Sequence, residues 1–383
     1  MVPPKLPPEI LDEITQFSHQ AAQLTLCRTS PVFRSLATRS LYRNVSLTTS
    51  SSLMQLCNTL RSNPVAAACV KRFSVFYLPM KPPNIAYTAY FTSFYQNLRT
   101  ALLRLTNLQE FSLLVRDPTL MTTLFFPSAP ALYFPLLRCF KTHLPLEQLL
   151  LSFLERHPKL AYLEVSHHEN LVFDDPSHPR GNVTHVPRSF PTLRRLHHFV
   201  GNSVYLEKLT PAYPLPLRSA YVIWNATQQC QGPILSLASA ASKTLNFLSC
   251  RRRGWNTDLV DLITMHLPNI HALHIHNVLI VDIQLPEGYQ EEIAHYLSRC
   301  RNLQRLKLTR EVQWCPNDFQ HDLNCEFSIV TEWGSACPSL FVIILPHSFL
   351  HVEWHRVSEN IWVPVDISSE GVARRWLKAP RIP

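Results

Sequence analysis

The segment NLQRLKL at residues 302–308 decides the fold, because its pattern recurs along most of the sequence. Its residues follow the template apolar, two variable, apolar, one variable, apolar, which residues 107–113 (NLQEFSL) repeat. The clearest copies are Val70-Phe73-Val75, Leu108-Phe111-Leu113, Leu160-Leu163-Val165, Ile270-Leu273-Ile275, Leu303-Leu306-Leu308 and Leu340-Ile343-Leu345. Weaker copies start at Leu137, Leu193, Leu217 and Leu245. Recurrence at about 20–40 residues is typical of a solenoid.

Segments with helical periodicity lie between these copies. Apolar residues recur there at i, i+3 and i+4, which is the spacing of one face of an α-helix. The predicted helices cover Ile85–Leu105, Leu146–His157, Asp258–Leu267 and Gln290–Cys300. A strand and a helix in each repeat predict an α/β solenoid, with parallel strands on one side and helices on the outer side.

The template resembles the leucine-rich repeat family, and the likeness extends over residues 65–350. The asparagine that this family places after the last apolar position is missing from every copy, and the repeat lengths vary. We therefore expect an irregular arc over residues 48–350. The template ends at His351, and residues 351–383 predict a hairpin and a terminal cap that shields the last repeat. The residues of this hairpin and cap are Trp354, Trp362, Val363, Val365 and Trp376.

The N-terminal segment LPPEILDEI at residues 6–14 starts a small helical module. Proline is tolerated in the first turn of a helix, so its two prolines fit a helix start. A second apolar segment contains Leu24, and Ser30-Pro31 gives an N-cap and a first-turn proline to a third helix that runs to Tyr42. Three helices in about forty residues have a very small core, which favours a module that docks on a partner. An ordinary three-helix cap on the repeats is the alternative.

Residues 6–47 resemble an F-box of the variant common in fungal proteins with degenerate leucine-rich repeats. The likeness rests on LPPEILDEI, on LCRTSPVFRSLA at residues 26–37 and on SLYRNVSL at residues 40–47. The resemblance implies that the module, residues 1–47, binds the Skp adaptor of a cullin–RING ubiquitin ligase. The positions that match the adaptor-facing residues of the family are Leu6, Pro7, Ile10, Leu11, Ile14, Leu24, Val32, Phe33 and Leu36.

Composition indicates the compartment and the charge of a partner. None of the ten cysteines forms a C-x-x-C pair, and several lie among apolar residues, as buried thiols do in a reducing compartment. There is neither a secretory signal nor a run of about 18 apolar residues, so we expect a cytoplasmic or nuclear protein without a membrane partner. The net charge of +9 favours acidic or phosphorylated partners, although solubility alone also explains it.

The positions between the apolar template residues form a candidate binding face. Side chains alternate along a strand, so these positions point to the concave, solvent side of the arc. Over ten projected strands they hold six Lys or Arg and two acids. Arginine pairs with carboxylate and phosphate, and tyrosine adds contact area, so we predict that this face binds a target protein with an acidic or phosphorylated segment. A merely solvated basic face is the alternative. The candidate residues are Arg72, Lys141, Tyr162, Arg195, His197, Tyr221, Arg251, His274, His276, Arg305 and Lys307.

Catalytic motifs are missing from the sequence. It contains no G-x-G-x-x-G, P-loop, G-x-S-x-G or H-E-x-x-H motif, so we predict neither an enzyme nor a cofactor. Two sets of potential metal ligands have spacings that match no known site, and we predict no metal there. One set is the polar loop with His167, His168, Asp174, Asp175, His178 and His185. The other set is Cys315, His321, Cys325 and Cys337.

Three functional hypotheses follow from these features. The first is a substrate-recognition subunit of a ubiquitin ligase of the SCF type, with an adaptor on the N-terminal module and a target protein on the repeats. The second is a repeat scaffold that binds a protein partner without ubiquitin transfer. The third is a nucleic-acid binder that uses the basic face, and the sequence disfavours it because no nucleic-acid-binding motif is present.

Overall fold

The structure is a computed structural model of the 383-residue chain. The described residues are 6–77, 85–115, 118–125, 131–166, 193–206, 214–224, 229–278, 288–310, 319–346, 352–359, 361–366 and 376–377. The chain divides into two compact units, Met1–Pro187 with Pro191–Arg195 and Arg188–Phe190 with Leu196–Pro383. The predicted division into three parts at residues 47 and 350 stays a prediction.

The first unit starts with three helices and continues as strands that alternate with helices. The three N-terminal helices are α1 (Pro8–Phe17), α2 (Gln20–Thr29) and α3 (Pro31–Arg43). The strands are β1 (Asn44–Leu47), β2 (Arg72–Tyr77), β3 (Glu110–Val115), β4 (Cys139–Thr142) and β5 (Tyr162–Val165). The remaining helices are α4 (Ser50–Ser62), α5 (Pro64–Cys69), α6 (Ile85–Leu102), α7 (Pro118–Phe125) and α8 (Gln148–Glu155). Each strand pairs in parallel with the next.

An aromatic ladder forms the core of the first unit. The template positions Phe73, Phe111, Phe140 and Leu163 lie in register on β2–β5, and all four are buried. Ring centroids are 6.3 Å apart between Phe73 and Phe111 and 5.6 Å apart between Phe111 and Phe140. Phe153 on α8 covers Phe140 at 5.1 Å. Aromatic pairs at these distances add about 0.5–1.5 kcal/mol beyond area burial, so the ladder holds the strand register.

The second unit repeats the same arrangement and ends in a hairpin. Its strands are β6 (His198–Asn202), β7 (Ser219–Ile223), β8 (Phe247–Arg252), β9 (Ala272–Asn277), β10 (Arg305–Arg310), β11 (Val342–Ile344), β12 (Val352–Ser358) and β13 (Ile361–Asp366). Its helices are α9 (Ser203–Leu206), α10 (Gln231–Ala241), α11 (Thr257–His266), α12 (Tyr289–Leu297) and α13 (Phe319–Ala336). Strands β6–β11 are parallel, so the predicted α/β fold with parallel strands and intervening helices is confirmed.

The turns between helix and strand are held by a second ladder of backbone hydrogen bonds. Each one lies just before a strand, where an amide donates to the carbonyl of the preceding repeat, as His271 N donates to Asn246 O at 2.8 Å. The buried Asn277 adds a side-chain bond, because its Oδ1 accepts from the N–H of Gly254 at 2.7 Å. Gly254 has a φ of 77°, a conformation that favours glycine. The described turns are thus held by backbone hydrogen bonds and, at Gly254, by an asparagine side chain.

The C-terminal segment forms the predicted hairpin. Strands β12 and β13 pair antiparallel, and β12 pairs antiparallel with β11. Trp354 is fully buried, and its Nε1 donates to Glu326 Oε2 on α13 at 2.7 Å. Trp376 packs against it at 5.4 Å between ring centroids and donates its Nε1 to Asn324 Oδ1 at 2.9 Å. The hairpin therefore pairs with the edge of β11, the last parallel strand, and its Trp354 side chain packs with Trp376 against α13.

The template copy that starts at Leu193 is wrong by three residues. His198 pairs with Ser219, which lies two residues after Leu217, the first template position of the next copy. Leu196, two residues before His198, is therefore the first template position of this copy. Arg195 consequently lies in the turn before β6, and His197 directly precedes that strand. Neither residue occupies the strand-face position that the sequence predicted. The error arose because the third apolar position of this copy is the buried Gly201, which hides the correct alignment.

Candidate functional site

Two of the three buried residues in the N-terminal helices α1–α3 are polar. In α2 the buried residue is Gln23, which is 8% exposed, and in α1 it is Thr15. Gln23 Nε2 donates to Thr15 O at 2.9 Å, to Ser18 O at 3.0 Å and to Ser40 Oγ on α3 at 3.0 Å. Ala37 is the buried residue of α3. The three helices are thus tied together by an amide network around small and polar side chains.

Large apolar side chains of the same helices face solvent instead. Their exposed fractions lie between 42% and 56% for Leu6, Ile10, Ile14, Leu24 and Val32. Exposed apolar side chains that cluster on one element mark protein-interaction sites, since they gain free energy only when a partner covers them. Two of these five residues, Ile10 and Ile14, lie on α1.

The structure adds one residue to the predicted docking set. Phe17 at the end of α1 is 89% exposed. Together with Ile10 and Ile14 it occupies positions i, i+4 and i+7, which lie on one side of a helix. We call these three residues the α1 stripe. The sequence analysis took its helical spacing from residues 6–14 alone, and Phe17 lies three residues beyond that segment, at the observed end of α1.

The remaining predicted docking residues differ in exposure. Pro7 is exposed at the start of α1, whereas Leu11, Phe33 and Leu36 are half-buried. Local geometry fixes α3, because Ser30 caps the helix by accepting from Phe33 N–H at 3.2 Å. These half-buried residues join the exposed surface to the interior of the module.

A small cleft lies beside the module. It has a volume of about 210 Å³ and is lined by Asp12, Gln16, Arg39, Arg43, Cys69 and Lys71. Asp12 and Arg39 form an ion pair within it. Small-molecule sites usually have volumes of about 300–1,000 Å³, so this cleft is smaller than a typical ligand pocket.

On the solvent face of β2–β5, basic side chains are paired with acids. Arg72 Nε lies 2.9 Å from Glu110 Oε1 on the neighbouring strand. Lys141 Nζ lies 3.3 Å from Glu164 Oε2, which also accepts from Tyr162 Oη at 2.8 Å. Register places both ion pairs directly across adjacent strands. The predicted residues Arg72, Lys141 and Tyr162 do lie on this face. The positive charges of Arg72 and Lys141 are balanced there by Glu110 and Glu164.

On β8–β10 a hydrogen-bonded chain of hydroxyl and imidazole groups runs from the fully buried Ser249 to the half-buried His274, Thr309 and His276. Ser249 Oγ lies 3.2 Å from His274 Nδ1, and His274 Nε2 lies 2.8 Å from Thr309 Oγ1. Thr309 Oγ1 in turn lies 2.8 Å from His276 Nδ1. Burial, with a smaller effect from the neighbouring Lys307, lowers the pKa of His274 to about 4, so His274 is neutral at physiological pH. The chain links three strands and orients both imidazole rings.

Other predicted face residues surround this chain. Tyr221 on β7 is in register with Ser249, and Arg251 is in register with His276. Arg305 Nη2 lies 2.6 Å from Glu353 Oε1 on β12, so the terminal hairpin neutralises that arginine. Lys307 projects from the same strand two residues later and lies in no ion pair among the described residues. Acids are absent from the described strands β6–β10.

The two sets of potential metal ligands, at which the sequence predicted no metal, are only partly within the described residues. The residues of the polar loop, His167 to His185, lie outside them, as does Cys315. Cys325 is exposed, whereas Cys337 is buried and donates its Sγ to Cys300 O at 3.1 Å. The described part of the chain contains no cluster of three or more metal-binding side chains. Its cysteines, including the buried Cys57, have free thiols.

No helix within the described residues has the length and apolar character needed to cross a lipid bilayer. Comparison of the chain with models of known protein families gave no match. Comparison with curated proteins also gave no match.

Proposed function

We propose that this chain is the substrate-recognition subunit of an SCF-type cullin–RING ubiquitin ligase. In this proposal the helices α1–α3 bind the Skp-type adaptor, and the solvent face of the repeat strands binds a target protein. The chain itself carries out no chemistry, because its contribution is to hold the target near the ubiquitin-transferring subunits. The resemblance of residues 6–47 to an F-box supplies the identity of the adaptor.

The α1 stripe is the single observation that carries the proposal. A module whose purpose was only to cap the repeats would turn Ile10, Ile14 and Phe17 inward. Instead, the interior contains Gln23 and Thr15, and the stripe is exposed. Burying a fully exposed Leu, Ile or Phe side chain contributes about 1.5–3 kcal/mol, so a partner that covers the stripe gains several kcal/mol. That amount is large enough to determine whether a protein complex forms.

The binding of purified chain to purified Skp-type adaptor, measured by titration calorimetry, tests the proposal. The double change Ile10→Ala and Ile14→Ala removes about half of the apolar area of the stripe. We expect it to weaken binding by about tenfold or more. The matched control is Val65→Ala with Met265→Ala, since these side chains are exposed to a similar degree and lie outside α1–α3. The control variant should bind like the unchanged chain.

Two results would overturn the adaptor assignment. The first is no binding by a well-folded chain, and the second is an equal loss of binding in both variants. In either case a repeat scaffold that binds a protein partner without ubiquitin transfer becomes the better account. The exposed stripe would then have to bind a different partner.

A further inference from the structure

Positive charge is concentrated in one segment of the chain. Residues 14–109 hold ten Lys or Arg and no Asp or Glu. Because the net charge of the whole chain is +9, the remaining residues together carry a net charge of −1. The segment includes the helices α2–α6 and the strands β1 and β2. Charges of one sign that line a concave surface raise the local concentration of the opposite ion, so a cleft in this segment attracts anions.

The small cleft beside the N-terminal helices collects three of these cations, and we call it the basic cleft. Arg39 and Arg43 lie one helical turn apart on α3, so they share a side of that helix. Lys71 lies in the turn before β2, and its backbone N–H donates to Arg43 O at 2.9 Å. This bond holds the end of α3 beside that turn. All three side chains line the same volume of about 210 Å³.

The one carboxylate of the basic cleft is already engaged. Asp12 pairs through Oδ1 with Arg39, and its Oδ2 accepts from Gln16 Nε2 at 2.8 Å. Arg43 and Lys71, in contrast, take part in no ion pair among the described residues. Arg43 is exposed and Lys71 is half-buried. Both cations are therefore available to a ligand in the cleft.

The charge and the size of the basic cleft match a phosphate group. Three cations and one acid give its lining a net charge of +2. A phosphate monoester carries about −1.5 to −2 at pH 7, whereas a carboxylate or a nucleic-acid phosphate carries a single charge. A phosphate group is only a few times larger than a water molecule, whose share of liquid volume is about 30 Å³, so the cleft can hold it.

We propose that the basic cleft binds a phosphate group, either as inorganic phosphate or as the phosphomonoester of a phosphorylated partner. The guanidinium fork of Arg43 donates to two phosphate oxygens, and the ammonium of Lys71 donates to a third. Arg39, which Asp12 holds in place, adds positive charge. The ligand relieves the repulsion between the cations and joins α3 to the turn before β2.

Titration calorimetry of the full chain with inorganic phosphate, at constant ionic strength, tests this site. We expect a dissociation constant of about 1 mM or lower, and about tenfold weaker binding of acetate, which carries a single charge. The double change Arg43→Gln and Lys71→Gln should weaken phosphate binding by about tenfold or more, because it removes two charge-assisted donors. The hydrogen bond between these two residues joins backbone atoms, so the double change leaves it in place.

The matched control is Arg61→Gln with Arg104→Gln. Both arginines are exposed, both belong to the same segment without acids, and neither lines the basic cleft. The control variant should bind phosphate like the unchanged chain. Equal weakening in the two double variants would show a diffuse basic surface and would overturn the proposal. So would acetate binding as tight as phosphate binding, or an absence of phosphate binding up to about 20 mM.

A degenerate peptide pool with one fixed phosphoserine distinguishes the two sources of the phosphate group. Tighter binding of this pool than of inorganic phosphate identifies a phosphorylated partner, and equal or weaker binding identifies the free ion. Asp12 and Gln16 lie about 200° around α1 from Ile10 and Ile14, so the basic cleft and the α1 stripe occupy different sides of that helix. The adaptor titration and the phosphate titration can therefore fail independently.

Discussion

The change Gln23→Ala tests why the apolar side chains of α1 face solvent. Gln23 Nε2 donates to Thr15 O, Ser18 O and Ser40 Oγ, and it joins all three helices of the module. Alanine removes these donors and leaves the buried Thr15 carbonyl with only the N–H of Ser18, at 3.3 Å. Each hydrogen bond that is lost contributes about 0.5–1.5 kcal/mol. We therefore expect α1–α3 to lose about 2–4 kcal/mol of local stability.

Native-state hydrogen exchange of the α1 and α2 amides measures this loss, because it reports the free energy of local opening. Gln16→Ala is the matched control, since Gln16 is exposed and bonds only within its own helix, to Asp12 at 2.8 Å. A loss below about 0.5 kcal/mol in Gln23→Ala, or an equal loss in the control, would refute the role of the amide network. Adaptor binding should also weaken in Gln23→Ala, although Gln23 itself is buried.

Burial lowers the pKa of His157 to about 4 from 6.5, so stability should be constant above pH 6.5 and fall by about 3 kcal/mol between pH 6.5 and 4, where the unfolded state takes up the proton. Urea unfolding across that range checks this, and a His157→Gln variant with an equally steep pH dependence would contradict it. In Gly334→Ala the new Cβ would lie 2.6 Å from the buried Trp362 ring, so unfolding should require about 1–3 kcal/mol less, and an unchanged melting temperature would show that the ring can move. Arg72→Ala breaks an exposed ion pair and should change stability by under about 1 kcal/mol, as measured by the same melts.

The repeat strands could be predicted from the sequence because burial determines their register. A one-residue slip would move Phe111 or Leu273 from the core to solvent, so the three apolar positions of a copy locate the strand. The strand near Leu193 was misplaced because this copy has Gly201 at its third template position, where the clearest copies have an apolar side chain that locates the strand. Where the pattern was complete, the predicted face residues such as His274 lie on the solvent side as expected.

Two features of the candidate sites could not be predicted from periodicity. Periodicity shows that Ile10 and Ile14 share a side of α1, but it does not show whether that side faces inward or outward. The direction depends on Gln23 of α2, whose hydrogen-bond partners lie on α1, at the C-cap of α1 and on α3. Likewise, the ion pair between Arg305 and Glu353 joins residues that are far apart in sequence, and only the tertiary structure reveals that the charge of Arg305 is balanced.

Hydrogen–deuterium exchange of the full chain, with and without purified Skp-type adaptor, locates the proposed docking surface. We predict that the adaptor slows exchange in peptides covering residues 6–36, while peptides from β8–β10 exchange at the same rate in both samples. Protection limited to the repeat strands would show that the adaptor binds elsewhere. An unchanged exchange pattern at saturating adaptor concentration would contradict the proposal that the α1 stripe is an adaptor-binding surface.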